Sequence, residues 1–263
     1  MPYYEIYCSV TFFILGAVVG SFLNVVILRV PEGASIVHPP SRCPDCGSAV
    51  RFYDNVPILS FLVLGGRCRD CGSRISFRYP LIEFTTALLS LALYKKFGIS
   101  PAFMVFFPYC CAMIVVFWID LDHMIIPDVI TINGIAVGVI VSLVGFIPYM
   151  NIKTSLLGTL FGGAILYLPA IVYEKLRGAE GLGGGDIKLL ATIGAFSGVH
   201  GVIFVLFFAS LVGSAVALVT MAVKGSSAKT PIPFGPFLTT TGIVYVFVGQ
   251  RVIDNFYALS HAF

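Results

Sequence analysis

Residues 6–27 read IYCSVTFFILGAVVGSFLNVVI, an apolar run whose polar members include Ser9, Ser21 and Asn24. A helix rises about 1.5 Å per residue, so ~20 such residues cross the ~30 Å hydrocarbon core of a bilayer. The run is therefore a transmembrane helix. No basic segment precedes it, and Glu5 is its flanking charge, so it does not read as a cleaved signal peptide. Further apolar runs follow at 81–94, 101–119, 129–150, 154–173, 189–196, 200–223 and 232–250. Across 263 residues the chain is 58% hydrophobic and 11% charged. A soluble domain carries about 25% charged residues, so a water-soluble domain, a disordered chain and a disulfide-knotted mini-protein are all excluded. The expected fold is an all-α polytopic membrane protein of about eight transmembrane helices. The run at 189–196 is the short one. A helix from Ile187 to Ser197 rises only ~16 Å, so it either starts at depth in the membrane or continues into the next run. No internal repeat is evident.

Lys and Arg accumulate on the cytoplasmic side of membrane proteins. Residues 29–80 are polar and hold seven Arg and no Lys. With eight spans, Lys175, Arg177, Lys188, Lys224 and Lys229 fall on the same side, against Lys95, Lys96, Lys153 and Arg251 on the other. This places residues 29–80 in the cytosol and both termini outside. The expected organisation is a first helix at 1–28, a cytosolic knob at 29–80 and a membrane bundle at 81–263. A formal charge of +3 without a basic run gives no reason to expect nucleic acid.

The knob contains RCPDCG at 42–47 and RCRDCG at 67–72. Two C-x2-C pairs with 21 residues between them match the spacing of a four-cysteine zinc ribbon. Thiolates suit tetrahedral zinc, and the glycine after each second cysteine permits the tight turn of a knuckle. Cys43, Cys46, Cys68 and Cys71 are the expected ligands of a structural zinc ion, with Arg42, Arg67 and Arg69 favouring the thiolates. Two disulfides or free thiols are the alternative, which a cytosolic setting disfavours.

Ionisable residues in or beside spans are functional candidates. Two stretches qualify: FWIDLDHMIIPD at 117–128, where an apolar helix runs into Asp120 and Asp122, and GLGGGDIK at 181–188, where glycines lead into Asp186. In the eight-span topology both aspartates lie at the cytoplasmic ends of their helices. Paired carboxylates share a proton and can act as base and acid on a peptide bond. Asp120 is at a helix C-terminus and Asp186 at an N-terminus beside Lys188. The helix dipole then makes Asp186 the resting base and Asp120 the proton carrier. Gly183 and Gly185 let a substrate backbone approach. Asp122 reads equally as a supporting group or a solvated loop carboxylate. Asp128, after Pro127, reads as a helix N-cap. A membrane aspartate pair can also bind the coupling ion of a transporter, and a scaffold without chemistry is a further alternative.

Taken together, GSFLNVVILRVP (20–31), the two cysteine knuckles, ISFRYPLIEFTTAL (75–88), WIDLDHMIIPD (118–128), EGLGGGDIKLLATIGAF (180–196) and PIPFGPFL (231–238) resemble the bifunctional prepilin peptidases. These are Gly-x-Gly-Asp intramembrane aspartyl proteases of the bacterial inner membrane. The resemblance implies Asp120 and Asp186 as the catalytic pair and the four cysteines as zinc ligands. It implies type IV prepilins or type II secretion pseudopilins as substrates, cut at a Gly-Phe type bond, and methylation of the new N-terminus from S-adenosylmethionine. A cofactor sheet of the Rossmann kind cannot form in a knob split by zinc. If the chain methylates, the expected pocket lies between the knob and the first two spans, with Asn24, Arg29 and Glu83. A peptidase without methylation is the same-family alternative.

Overall fold

The computed structural model describes residues 2–177, 183–224 and 232–260. Every regular element among them is helical: α1 (Pro2–Arg29), α2 (Leu59–Val63), α3 (Arg78–Phe97), α4 (Pro101–His123), α5 (Asp128–Val144), α6 (Ile152–Arg177), α7 (Gly184–Lys224) and α8 (Gly235–Ser260). A 3-10 turn at Phe52–Asn55 completes the set. By length and composition Tyr3–Arg29, Pro101–His123, Ile152–Leu176 and Gly184–Val223 can each cross a membrane. The short apolar run at 189–196 does not stand alone. It forms the first arm of α7, two helices that meet at a kink at Gly198 (φ 67, ψ −173), where the backbone leaves the helical region. Counting the two arms of α7, eight long helical segments match the eight apolar runs. Apolar composition overstates α5, which stops at Gly145 in the left-handed conformation (φ 78) and not at residue 150.

The chain forms two compact units, Met1–Val115 and Val116–Phe263. The first is an antiparallel hairpin of α1 and α3 carrying the polar knob between them. Phe12 stacks on Tyr94 at 4.4 Å. Gly16 lies against Ala87 and Ser90, and Gly20 against Glu83, so the helix backbones nearly touch. Asn24 Nδ2 donates to the Tyr79 carbonyl at 3.3 Å, at the knob end of the hairpin.

In the second unit small residues also set the approach, as membrane packing demands in the absence of a hydrophobic drive between helices. α6 and α7 run antiparallel. Gly158 faces the backbone of Gly194 and Gly198, and Gly162 faces Leu190. The Ser155 hydroxyl donates to the Ala195 carbonyl at 2.8 Å. α5 runs parallel to α7, with Gly134 on Thr192 and Gly138 on Ala195 and Phe196. Thr192 Oγ1 donates to the Thr131 carbonyl at 2.9 Å. α8 returns along the second arm of α7, where Phe204 meets Tyr245 at 5.3 Å. A Cβ at Gly194 would enter the Gly158 carbonyl and carbon. Gly194→Ala is therefore expected to force α6 from α7 and cost about 3 kcal/mol, read as a lower thermal midpoint in detergent.

Candidate active sites

The second unit assembles the first site. α4 carries Asp120 in its last turn, 5% exposed. α7 opens at Gly184 and carries Asp186 in its first turn, half-buried. The Asp186 N–H donates to the Gly183 carbonyl at 3.1 Å, which winds the glycine approach into the helix. Gly181 and Leu182, at the head of that approach, lie outside the described residues, as does Lys229. The two carboxylates, 66 residues apart in sequence, are close enough for their charges to interact.

Sequence reasoning misses two residues here. The backbone N–H of Gly235, the first residue of α8, donates to Asp120 Oδ2 at 2.9 Å. Ile126 lies between the two aspartates' supports: a Cβ at Gly185 would be 2.9 Å from Ile126 Cβ, and one at Gly235 3.3 Å from Ile126 Cδ1. Gly235 is legible only as part of PIPFGPFL, and Ile126 carries no signal of its own. The dipole argument also changes. Asp120 ends one helix but faces the N-terminus of another, so the asymmetry that made Asp186 the resting base is lost.

The neighbouring charges differ from expectation too. Lys188 does not turn to Asp186; its Nζ pairs with Asp128 Oδ1 at 2.6 Å. Asp128 is the first residue of α5 and not its cap, and the cap position, Pro127, makes no side-chain bond. The pair ties α5 to α7 two residues beyond Asp186. Asp122 and His123 are exposed at the end of α4.

The first unit holds the cysteines. The Sγ atoms of Cys43, Cys46, Cys68 and Cys71 all lie within 4.8 Å of one another, and none is disulfide-bonded. Cys43 and Cys71, from different knuckles, are 3.8 Å apart. Sulfurs on a tetrahedral zinc with ~2.3 Å bonds are about 3.8 Å apart, so the donor set fits such an ion. The knuckles repeat each other in geometry. The N–H of Cys43 reaches the Ser48 carbonyl at 2.9 Å and that of Cys68 the Ser73 carbonyl at 2.8 Å. Gly47 and Gly72 close the turns at φ 71 and 72, and bridges join Arg42 to Ala49 and Arg67 to Arg74. The matching residues RCPDCGS (42–48) and RCRDCGS (67–73) thus fold as a short structural repeat. Bonds from the Cys46 backbone N–H and the Ser73 hydroxyl bring the Cys43 thiol down to about 6. Arg69 does not serve the thiolates; its guanidinium grips Asp54 at 2.6 and 2.8 Å, and Arg51 reaches Asp70 at 3.3 Å.

Beside the knuckles a cavity of about 620 Å³ opens between the knob and the α1/α3 hairpin, and Asn24, Arg29 and Glu83 all line it. Arg29 donates to the Ser35 and Pro39 carbonyls at 2.9 and 2.7 Å. Glu83 is 8% exposed. Its Oε2 accepts the Ile58 N–H at 2.7 Å, and Ile58 is held at φ 64, an unusual angle for a β-branched residue. The volume suits a small-molecule ligand.

Fold and sites together define a polytopic helical membrane protein with two carboxylates within electrostatic reach of each other in its bundle and a four-thiol knob on its first hairpin. A family model described as the bacterial peptidase A24 N-terminal domain matches residues 14–97, and one described as the type IV leader peptidase family matches residues 107–218. A prepilin leader peptidase/N-methyltransferase of Xanthomonas campestris pv. campestris is 34% identical over 265 residues, covering 92% of each chain. That of Pseudomonas putida is 33% identical over 261 residues, covering 91% of this chain and 90% of its own. That of Burkholderia pseudomallei (strain 1026b) is 36% identical over 261 residues, covering 90% and 84%. No solved structure matches the chain. The chain belongs to the type IV leader peptidase family.

Proposed function

We propose that the protein is a membrane aspartyl endopeptidase that removes the leader of type IV prepilins or type II secretion pseudopilins and then methylates the exposed N-terminus. The observation that carries this reading is the meeting of Asp120 and Asp186 from separate helices, with Asp120 bonded to the Gly235 N–H. In the mechanism we assign, Asp120 is the ionised partner, because its Oδ2 accepts a backbone N–H at a helix N-terminus. Asp120 takes a proton from water, which attacks the scissile carbonyl carbon. Asp186 gives its proton to the carbonyl oxygen, and the pair then returns a proton to the leaving amine. The positive-inside count supports a cytoplasmic placement for this end of the bundle and for the knob, in the inner membrane. A prepilin, with its basic leader in the cytosol and apolar helix in the bilayer, brings its bond to that face.

Gly235→Ala tests the geometry. An added Cβ lies 2.5 Å from Asp120 Oδ2, so turnover is expected to fall about 10²-fold through misplacement of the base. The overall reading is tested with a prepilin-type substrate in proteoliposomes and the mass of the product N-terminus. Leader loss plus one methyl group is the expected result; an intact substrate with well-folded protein rejects the peptidase.

For the second step, the four cysteines are assigned to a structural zinc ion and the 620 Å³ cavity to S-adenosylmethionine. When bound, that cofactor supplies an electrophilic methyl group. Glu83 is placed to hold the new N-terminal amine and take its proton, with Asn24 and Arg29 shaping the wall. Glu83→Gln keeps an acceptor for the Ile58 N–H but removes the basic carboxylate. Methylation is expected to fall ~10²-fold or more while leader removal continues, as read by product mass.

A further inference from the structure

α2 is a helix with two faces. Ser60 and Phe61, with Leu64 just beyond, line the cavity. Leu59, Leu62 and Val63 occupy positions i, i+3 and i+4 and share the opposite face. They are 60%, 66% and 80% exposed. Phe77, 68% exposed, meets Phe61 edge-on at 6.1 Å. Phe77 is also the residue directly before α3.

The depth of this face is fixed by a hydrogen bond. Ile58, which caps α2, donates its N–H to Glu83 at 2.7 Å. Glu83 lies five residues into α3, which is ~8 Å along the helix axis. α2 is therefore held alongside the second turn of α3 and does not stand out at the far end of the knob. α3 in turn packs along α1, an apolar helix long enough to span the membrane. That hairpin also exposes large apolar side chains, Phe22, Phe84 and Leu88 among them.

We propose that α2 is a membrane foot: Leu59, Leu62, Val63 and Phe77 insert into the headgroup–acyl boundary of the bilayer that α1 crosses. An amphipathic segment lies in this boundary with its apolar face buried ~5–10 Å. The cavity wall formed by Ser60 and Phe61 is then seated at the membrane surface, with the knuckles above it.

A single tryptophan reports this directly. Trp118 is the only one in the chain. Full-length protein carrying Trp118→Phe with Val63→Trp, or with Leu62→Trp, is reconstituted in phosphatidylcholine vesicles with and without bromine on the acyl chains. The foot predicts blue-shifted emission that is largely lost in the brominated bilayer and insensitive to iodide. A Val18→Trp control on the exposed side of α1 is expected to behave alike. Emission quenched by iodide and untouched by bromine overturns the proposal and places the face in water. Protection from both quenchers also overturns it and assigns the face to a protein, such as a second copy. If Trp118→Phe fails to fold, the same reading comes from Val63→Trp in the native background after subtraction of wild-type emission.

Discussion

Asp120→Asn and Asp186→Asn are each expected to lower leader cleavage by about 10³-fold or more, because a positioned acid or base contributes 10²–10⁴ and a dyad fails as a unit. That is ~4 kcal/mol of transition-state stabilisation. Both substitutions are close to isosteric. The amide of Asp120→Asn keeps an oxygen to accept the Gly235 N–H, the bond that measures 2.9 Å to the native carboxylate, so α8 remains docked. The thermal midpoint is therefore expected to hold while turnover collapses. The double variant should be no slower than either single one, since the second carboxylate has nothing left to cooperate with. Multiplying losses would mean independent roles and would reject the dyad. The wild-type pH profile should be bell-shaped, with two apparent values that belong to the pair. Full cleavage by both single variants would move the aspartates to ion coupling or to structure.

The parts of this site are not equally legible in the sequence. Asp120 and Asp186 stand out because a charge beside a span is rare, and the cysteine knuckles because their spacing is chemistry in itself. Gly235 and Ile126 do not, because their roles are tertiary: the Asp120–Gly235 bond joins positions 115 residues apart. The partner of Lys188 escapes the sequence for the same reason. Asp186 is two residues away along the chain, but on a helix residues i and i+2 do not face each other. A parallel neighbour, α5, brings Asp128 to the lysine. Helix limits follow a similar logic. Apolarity finds α4 and α6 but says nothing about where α5 stops, because Val141 to Ile147 is apolar on both sides of the Gly145 turn. The break of α7 at Gly198 is open in the sequence for the converse reason: a glycine can end a helix or merely bend it, and only the backbone of Gly198 (φ 67, ψ −173), packed against Gly158, shows that the helix is interrupted there.

Removing the metal is the second large effect expected. The knob has no sheet and little core. Its 3-10 turn buries no residue, and α2 is five residues long with none buried. Ion pairs such as Arg69–Asp54, whose arginine side chain is 41% exposed, are screened by solvent and add little stability. A structural zinc site supplies roughly 10–16 kcal/mol of apparent binding energy, which is folding energy for a segment that has no other source. Cys43→Ser, or a strong chelator, should therefore unfold residues 41–76 as a block. Limited proteolysis should cut between the knuckles, and one zinc per chain should be lost by native mass spectrometry. Methylation should vanish with it, because Cys43, Cys68 and Ser73 line the cavity that contains Glu83. The α5–α8 bundle has its own close-packed glycine contacts and should keep its thermal midpoint. Two disulfides in the purified protein, in place of bound metal, would reject the assignment. So would a knob that resists proteolysis in the chelated state, since its stability would then come from packing that the 3-10 turn and α2 do not provide.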